Sequence, residues 1–144
     1  MSVALDANLL LYAANADDDR NRRAREILSE LAAGPEVVYL FWPVAMAFLR
    51  ISTRGGVFPQ PLPPADALAM IGDLLSRDHV VAPGEDDLFW DAFQEIAHEQ
   101  RAQGDLISDV HIVALMRRHG VRTIITHDRD FRRFDGIVMR DPFV

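Results

Sequence analysis

Hydrophobic and polar positions along the chain alternate between two kinds of period. Val3-Ala4-Leu5 is a short apolar run that stops at Asp6, and Leu9 to Ala14 continues as a helix-like stretch. Asp17-Asp18-Asp19 offers acidic cap chemistry, after which Ala24, Ile27, Leu28 and Leu31 recur at helical spacing until Gly34-Pro35 interrupts them. Val37 to Phe41, rich in β-branched and aromatic residues, reads as a buried strand, and Pro43 suits the first turn of a helix running to about Thr53. Gly55 to Pro64 is a punctuated loop. Beyond it the pattern predicts a helix over Ala65–Ser76, a strand over His79–Ala82, a stop at Pro83-Gly84 and an acidic amphipathic helix over Glu85–Gln103. Ser108 is placed to cap the next helix, which ends at His119 before Gly120. Val121–Thr126 is a further strand, Asp128–Phe134 a turn or short helix, and Ile137–Met139 a last strand.

Strands that alternate with helices in this way predict an α/β fold, a three-layer α/β/α sandwich around a mainly parallel sheet. Its 144 residues are expected to form one domain, 1–144. At this length folding buries about 68–70% of the unfolded chain's surface, enough for a core without disulfides or a structural metal. The chain has no cysteine, which excludes a thiolate metal site and a cysteine nucleophile. The apolar run from Val37 to Leu49 falls short of the ~20 residues a bilayer demands and contains Pro43, and Asp6 interrupts any signal-like segment, so a cytoplasmic protein is expected.

Twenty-two acids against fifteen bases give a net charge of −7, which disfavours adhesion of the whole surface to nucleic acid or anionic lipid. The charge is nevertheless polarised. Seven of the fifteen arginines lie between Arg117 and Arg140, whereas Glu85 to Asp109 carries eight acids and one arginine. Every basic residue is arginine, so no mechanism that depends on a catalytic lysine is available.

Open parallel sheets place ligands outside the carboxyl ends of their strands. Asp6 ends the first strand, Asp128 follows the fourth, and Asp109 opens the helix that returns before Val121, so all three acids are expected at one sheet edge. Clustered carboxylates raise one another's pKa unless a cation neutralises them, and hard oxygen donors suit Mg2+ or Mn2+. Singly, Asp109 also reads as a helix-dipole acid and Asp128 as part of a polar turn, whereas Asp6, at a strand end followed at once by leucines, fits a mere cap poorly. The histidines contain no pair at helical zinc spacing, and neither a phosphate loop nor a nucleophilic serine elbow is present.

Three segments carry a resemblance: Asp6-Ala7-Asn8-Leu9-Leu10-Leu11-Tyr12-Ala13, Asp109-Val110-His111-Ile112-Val113-Ala114-Leu115, and Thr126-His127-Asp128-Arg129-Asp130-Phe131. In order and spacing they resemble the acidic motifs of PIN-domain ribonucleases, and closely those of VapC-type toxins. The resemblance implies an Mg2+- or Mn2+-dependent endoribonuclease acting on RNA, a homodimer, and a small antitoxin partner. It makes Asp6, Asp109 and Asp128 the metal-site and catalytic acids, with Asn8 and Thr126 as polar support.

One position departs from the pattern. Family members carry a glutamate in the helix after the second strand, and Ala47 stands there in Trp42-Pro43-Val44-Ala45-Met46-Ala47-Phe48-Leu49-Arg50. Asp105, four residues before Asp109, is either a compensating metal ligand or a solvated loop acid. Arg129, Arg132 and Arg133 beside the expected site are candidates to grip RNA phosphates. The rival reading is a degenerate PIN fold that binds RNA or a protein without cleaving. A dehalogenase-type phosphatase fits poorly, because Asn8 replaces the second acid of its motif and lysine is absent.

Overall fold

A computed structural model describes residues 1–144. Its sheet has five short strands, β1 (Ser2–Leu5), β2 (Val37–Tyr39), β3 (Val80–Val81), β4 (Thr123–Ile125) and β5 (Val138–Arg140), in the order β3-β2-β1-β4-β5. Every neighbouring pair is parallel. Six helices flank the sheet: α1 (Ala7–Ala14), α2 (Asn21–Ala33), α3 (Trp42–Ser52), α4 (Pro64–Leu75), α5 (Phe89–Gln100) and α6 (Leu106–Arg118). The expected α/β layering is therefore present. A 3-10 turn, Arg129–Arg133, links β4 to β5.

Parallel strands buried on both faces explain the near-continuous apolar runs. Val3, Ala4 and Leu5 in β1 and Ile124 and Ile125 in β4 belong to a single cluster of 29 buried residues. In α6 the stretch from Ile112 to Met116 is buried without interruption, so this helix is enclosed on nearly all sides. No helix is long and apolar enough to cross a membrane.

Four sequence expectations need correction. The helix expected from Glu85 starts only at Phe89, because the preceding acids are held elsewhere. Glu85 meets His111 at 2.7 Å, Asp86 takes a 2.6 Å ion pair from Arg118, and Asp86 Oδ1 accepts from the Leu88 amide. Its far end is Gln100 instead of Gln103, since Arg101 turns into the left-handed region at φ 51°. Ser108 caps nothing: Gly104, at φ +61°, turns the chain so that Asp105 precedes the first helical residue, and Ser108 lies within α6. The run Asp17-Asp18-Asp19 does not cap α2 directly. Arg20 holds that position, and Asp18 instead accepts from the Arg20 amide at 2.8 Å and from its guanidinium.

Candidate metal centre

The two central strands set the site. From β1 the chain crosses to β2 and β3 on one side, and β4 pairs with the other side of β1, so the connection direction reverses between β1 and β4. Such a reversal opens a crevice at the carboxyl ends of the strands. Leu5 pairs with Ile125, and the Asp6 amide continues the ladder to the Ile125 carbonyl at 3.2 Å. The next residues on the two strands, Asp6 and Thr126, thus stand side by side at the crevice.

Thr126 is completely buried, and its hydroxyl is saturated. It donates to Asp6 Oδ2 at 2.7 Å and accepts from Asn8 Nδ2 at 3.0 Å and from the Asp128 amide at 3.0 Å. One proton and two lone pairs are all a hydroxyl offers, so these bonds fix which way Asn8 faces. Asn8 Oδ1 is left buried with no partner. The other oxygen of Asp6 accepts from the Ala7 amide at 2.8 Å, capping α1. Asp128 performs the same local task one strand over, accepting from the Asp130 amide at 2.9 Å as it caps the 3-10 turn.

Asp109 arrives from the first turn of α6. Carboxylate oxygens of Asp109, Asp128 and Asp130 lie within 4.8 Å of one another. Asp6 is not in that tight trio, yet its field reaches both Asp109 and Asp128. Burial, reinforced by repulsion from Asp128, Asp6 and Asp130 and opposed by Arg133, raises the Asp109 carboxyl to about 7. Burial likewise raises Asp6, against the lowering effect of the Thr126 and Ala7 hydrogen bonds. A set of hard oxygen donors, short of positive charge and flanked by a buried unpaired amide oxygen, fits Mg2+ or Mn2+.

The remaining sequence candidates divide. Asp105 is exposed, makes no side-chain hydrogen bond as it precedes α6, and takes no part in the acidic trio. Arg129 and Arg132 are exposed and outside every ion pair of the structure. Arg133 is also exposed, but its Nε donates to Gln100 Oε1 at 2.8 Å, which ties the 3-10 turn to α5. His127 stands beside Asp128 with its Nδ1 held 2.9 Å from Asp141 Oδ2. Ala47 is half-buried in α3 and supplies no donor atom.

A family model described as PIN domain matches residues 3–137. The chain belongs to the PIN-domain family. This PIN domain is 41% identical over 143 residues to Ribonuclease VapC48 of Mycobacterium tuberculosis, with 99% of each chain covered. It is 30% identical over 138 residues to Ribonuclease VapC37 of the same organism, covering 96% of this chain and 95% of that one. Among solved structures, VapBC-1 from nontypeable Haemophilus influenzae superposes with a TM-score of 0.70 over 100% of both chains at 17% identity. Mycobacterium tuberculosis VapC20, described as a sarcin-ricin loop cleaving toxin, gives 0.67 at 20% identity over 91% of this chain and 93% of that one. At such low identity the structural likeness speaks for the fold.

Sequence reasoning missed two residues that lie near the acids. Asp130 lies two positions after Asp128, and that spacing was the available signal. Once Asp128 caps a 3-10 turn, the turn carries its second acid back to the first. Tyr12 lies one helical turn beyond Asn8 on α1, the i, i+4 relation that places both on one face. Its phenol lies close enough for the charges of Asp6 and Asp128 to act on it.

Proposed function

We propose that this PIN domain is an endoribonuclease that depends on Mg2+ or Mn2+ and serves as the toxin of a toxin–antitoxin pair. The observation that carries the reading is the convergence of Asp6, Asp109, Asp128 and Asp130 on the β1/β4 crevice of a chain whose relatives are named ribonucleases. Asp109, Asp128 and Asp130 would hold the cation, with Asp6 beside them. When bound, Mg2+ or Mn2+ supplies the charge neutralisation and Lewis acidity that phosphodiester hydrolysis demands.

The protein's own residues supply position. Thr126 locks Asp6, Asn8 and the Asp128 backbone to one hydroxyl, so the acids keep their places without relying on a ligand. Asp109, with a carboxyl near 7, holds a proton in much of the cation-free protein and gives it up as the site loads. No covalent protein intermediate is called for, since water can attack the phosphodiester directly. Arg129 and Arg132 draw the RNA backbone towards the acids. Small antitoxin, homodimer and cytoplasmic location accompany the toxin reading, and the Haemophilus structure named as VapBC-1 supports the first. The non-cleaving alternative rests on Ala47, and the four convergent acids weigh against it.

Purified protein incubated with structured RNA after chelation should cleave nothing, and added Mn2+ should restore cleavage. Asp6→Asn and Asp109→Asn should each abolish it while the fold persists. Full activity in either variant with unchanged Mn2+ affinity refutes the assignment.

A further inference from the structure

Tyr12 is held more firmly than a surface tyrosine has reason to be. The Arg20 guanidinium lies over its ring, 3.9 Å from the centroid, and Arg20 Nη1 donates to the phenol oxygen at 3.1 Å. Arg20 is itself fixed, its Nε and Nη2 donating to the two oxygens of Asp18 at 2.9 and 3.0 Å. The ring meets Phe143 edge-on at 5.4 Å and His127 at 6.3 Å. His127 in turn is anchored on Asp141. Even the backbone is tied, because Asn21 Nδ2 donates to the Tyr12 carbonyl at 2.9 Å and to that of Ala13 at 3.0 Å. Side chains from α1, from the start of α2 and the loop before it, from the β4 exit and from the carboxyl-terminal segment thus converge on one half-buried phenol.

The proton of that phenol has no acceptor in the protein, since its one hydrogen bond is the one it receives from Arg20. A bond received from a cation polarises an O–H and makes it a better donor. Burial, with Asp6 and Asp128 nearby, raises its pKa, so the group stays protonated. It is hydrogen-bonded to none of the clustered acids, although their charges reach it. Arg20 adds positive charge beside the phenol.

We infer that Tyr12 is a substrate-positioning residue whose phenol donates to a non-bridging oxygen of the RNA phosphate next to the scissile one. This rests on the endoribonuclease reading above. The scissile phosphate belongs at the cation site; the phenol, its ring against His127 next to Asp128, bonds to none of the acids and so is left to serve a neighbouring phosphate. Arg20 and Asp18 set the phenol's orientation, while His127 and Phe143 set the tilt of its ring.

The test compares wild type with Tyr12→Phe, which keeps the ring and removes only the hydroxyl, and with Arg20→Gln as a second variant. The substrate is an oligoribonucleotide carrying the bond that the wild type cleaves with Mn2+. Tyr12→Phe should raise KM about tenfold, the size of a hydrogen bond to a charged oxygen, and leave kcat, Mn2+ affinity and thermal stability near wild type. Arg20→Gln should raise KM by less. A methylphosphonate at the neighbouring linkage should cost the wild type the same factor and cost Tyr12→Phe nothing more. If the wild type cleaves and Tyr12→Phe retains its KM, the inference is overturned and the nuclease reading stands. Non-additivity with a 2′-deoxy substitution in place of the methylphosphonate also overturns it. Failure of the wild type to cleave any RNA with Mn2+ removes the nuclease reading and this inference together.

Discussion

Replacing Thr126 by valine keeps the volume of a fully buried side chain and deletes the hydroxyl on which three groups depend. Two donors, Asn8 Nδ2 and the Asp128 amide, lose their acceptor, and Asp6 loses its 2.7 Å donor. A buried donor left without a partner costs about 1–3 kcal/mol. Asn8 and Asp128 are only partly buried, which puts each near the lower end, and the added methyl returns roughly 0.8 kcal/mol of burial. With about 1.5 kcal/mol more for the lost bond to the Asp6 carboxyl, the expected loss is about 2–3 kcal/mol, a large share of the roughly 5–15 kcal/mol that holds a domain folded. For a chain of this size it corresponds to a fall in Tm of about 6–10 °C. Thr126→Ser keeps the hydroxyl, and dropping one methyl group should cost only about 1 kcal/mol. Guanidinium unfolding of wild type, Thr126→Val and Thr126→Ser, with Mn2+ titration of each, separates the cases. The Asp6 carboxyl in Thr126→Val should titrate at higher pH than in wild type, so Mn2+ binding should weaken more as the pH is lowered. A Thr126→Val protein within about 0.5 kcal/mol of wild type and with unchanged Mn2+ affinity would refute the hub role, since that is the scatter expected of an ordinary surface change.

Further outcomes follow from the same geometry. Asp109 binds its proton more tightly folded, near 7, than unfolded, near 3.8, so the cation-free protein should lose stability as pH rises between those values; Asp109→Asn should abolish that slope in a series of thermal melts. Loading Mn2+ at pH 6 should release a proton from Asp109, and at pH 9 it should release none, as calorimetry in buffers of different ionisation enthalpy would show; equal release at both pH values contradicts the assignment. Asp130→Asn should weaken Mn2+ binding, whereas Asp105→Asn should leave both affinity and cleavage rate unchanged; the reverse ranking would put Asp105 in the site. Ala47→Glu should tighten Mn2+ binding and raise the rate at limiting Mn2+, and no change in either places α3 away from the acids.

The strands and most helices were legible because their burial is periodic or continuous, and a parallel sheet makes the carboxyl edge the place to look. From Asp6 at the end of one strand and Asp128 just past another, that rule brings distant acids together without coordinates. What the local pattern could not supply was competition between partners. Glu85 and Asp86 have good helix-initiating chemistry, yet His111 and Arg118 on α6 claim them, and the helix starts later. Ser108 looks like a cap until Gly104 turns the chain earlier. The choice of Asp130 over Asp105 is of the same kind. Both lie within four residues of a motif acid, but only the 3-10 turn after β4 folds its acid back on the cluster.

The position of Thr126 explains why the acids can be assembled before any cation arrives. Like charges held together oppose folding, and the structure relieves this in three ways: burial leaves Asp109 protonated near neutral pH, Arg133 partly offsets its charge, and backbone amides or Thr126 satisfy Asp6 and Asp128. Each device acts on one acid and leaves the others' oxygens facing the crevice. Relief by protonation is reversible at the pH where a metal ion competes for the same oxygens, so cation binding and stability are linked through Asp109. The hydrogen bonds on Asp6 act in the opposite sense, favouring its charged form against burial. Those bonds only partly offset burial, so both Asp6 and Asp109 bind a proton more readily than free carboxyls, which keeps the crevice preformed but uncommitted until a divalent ion displaces it.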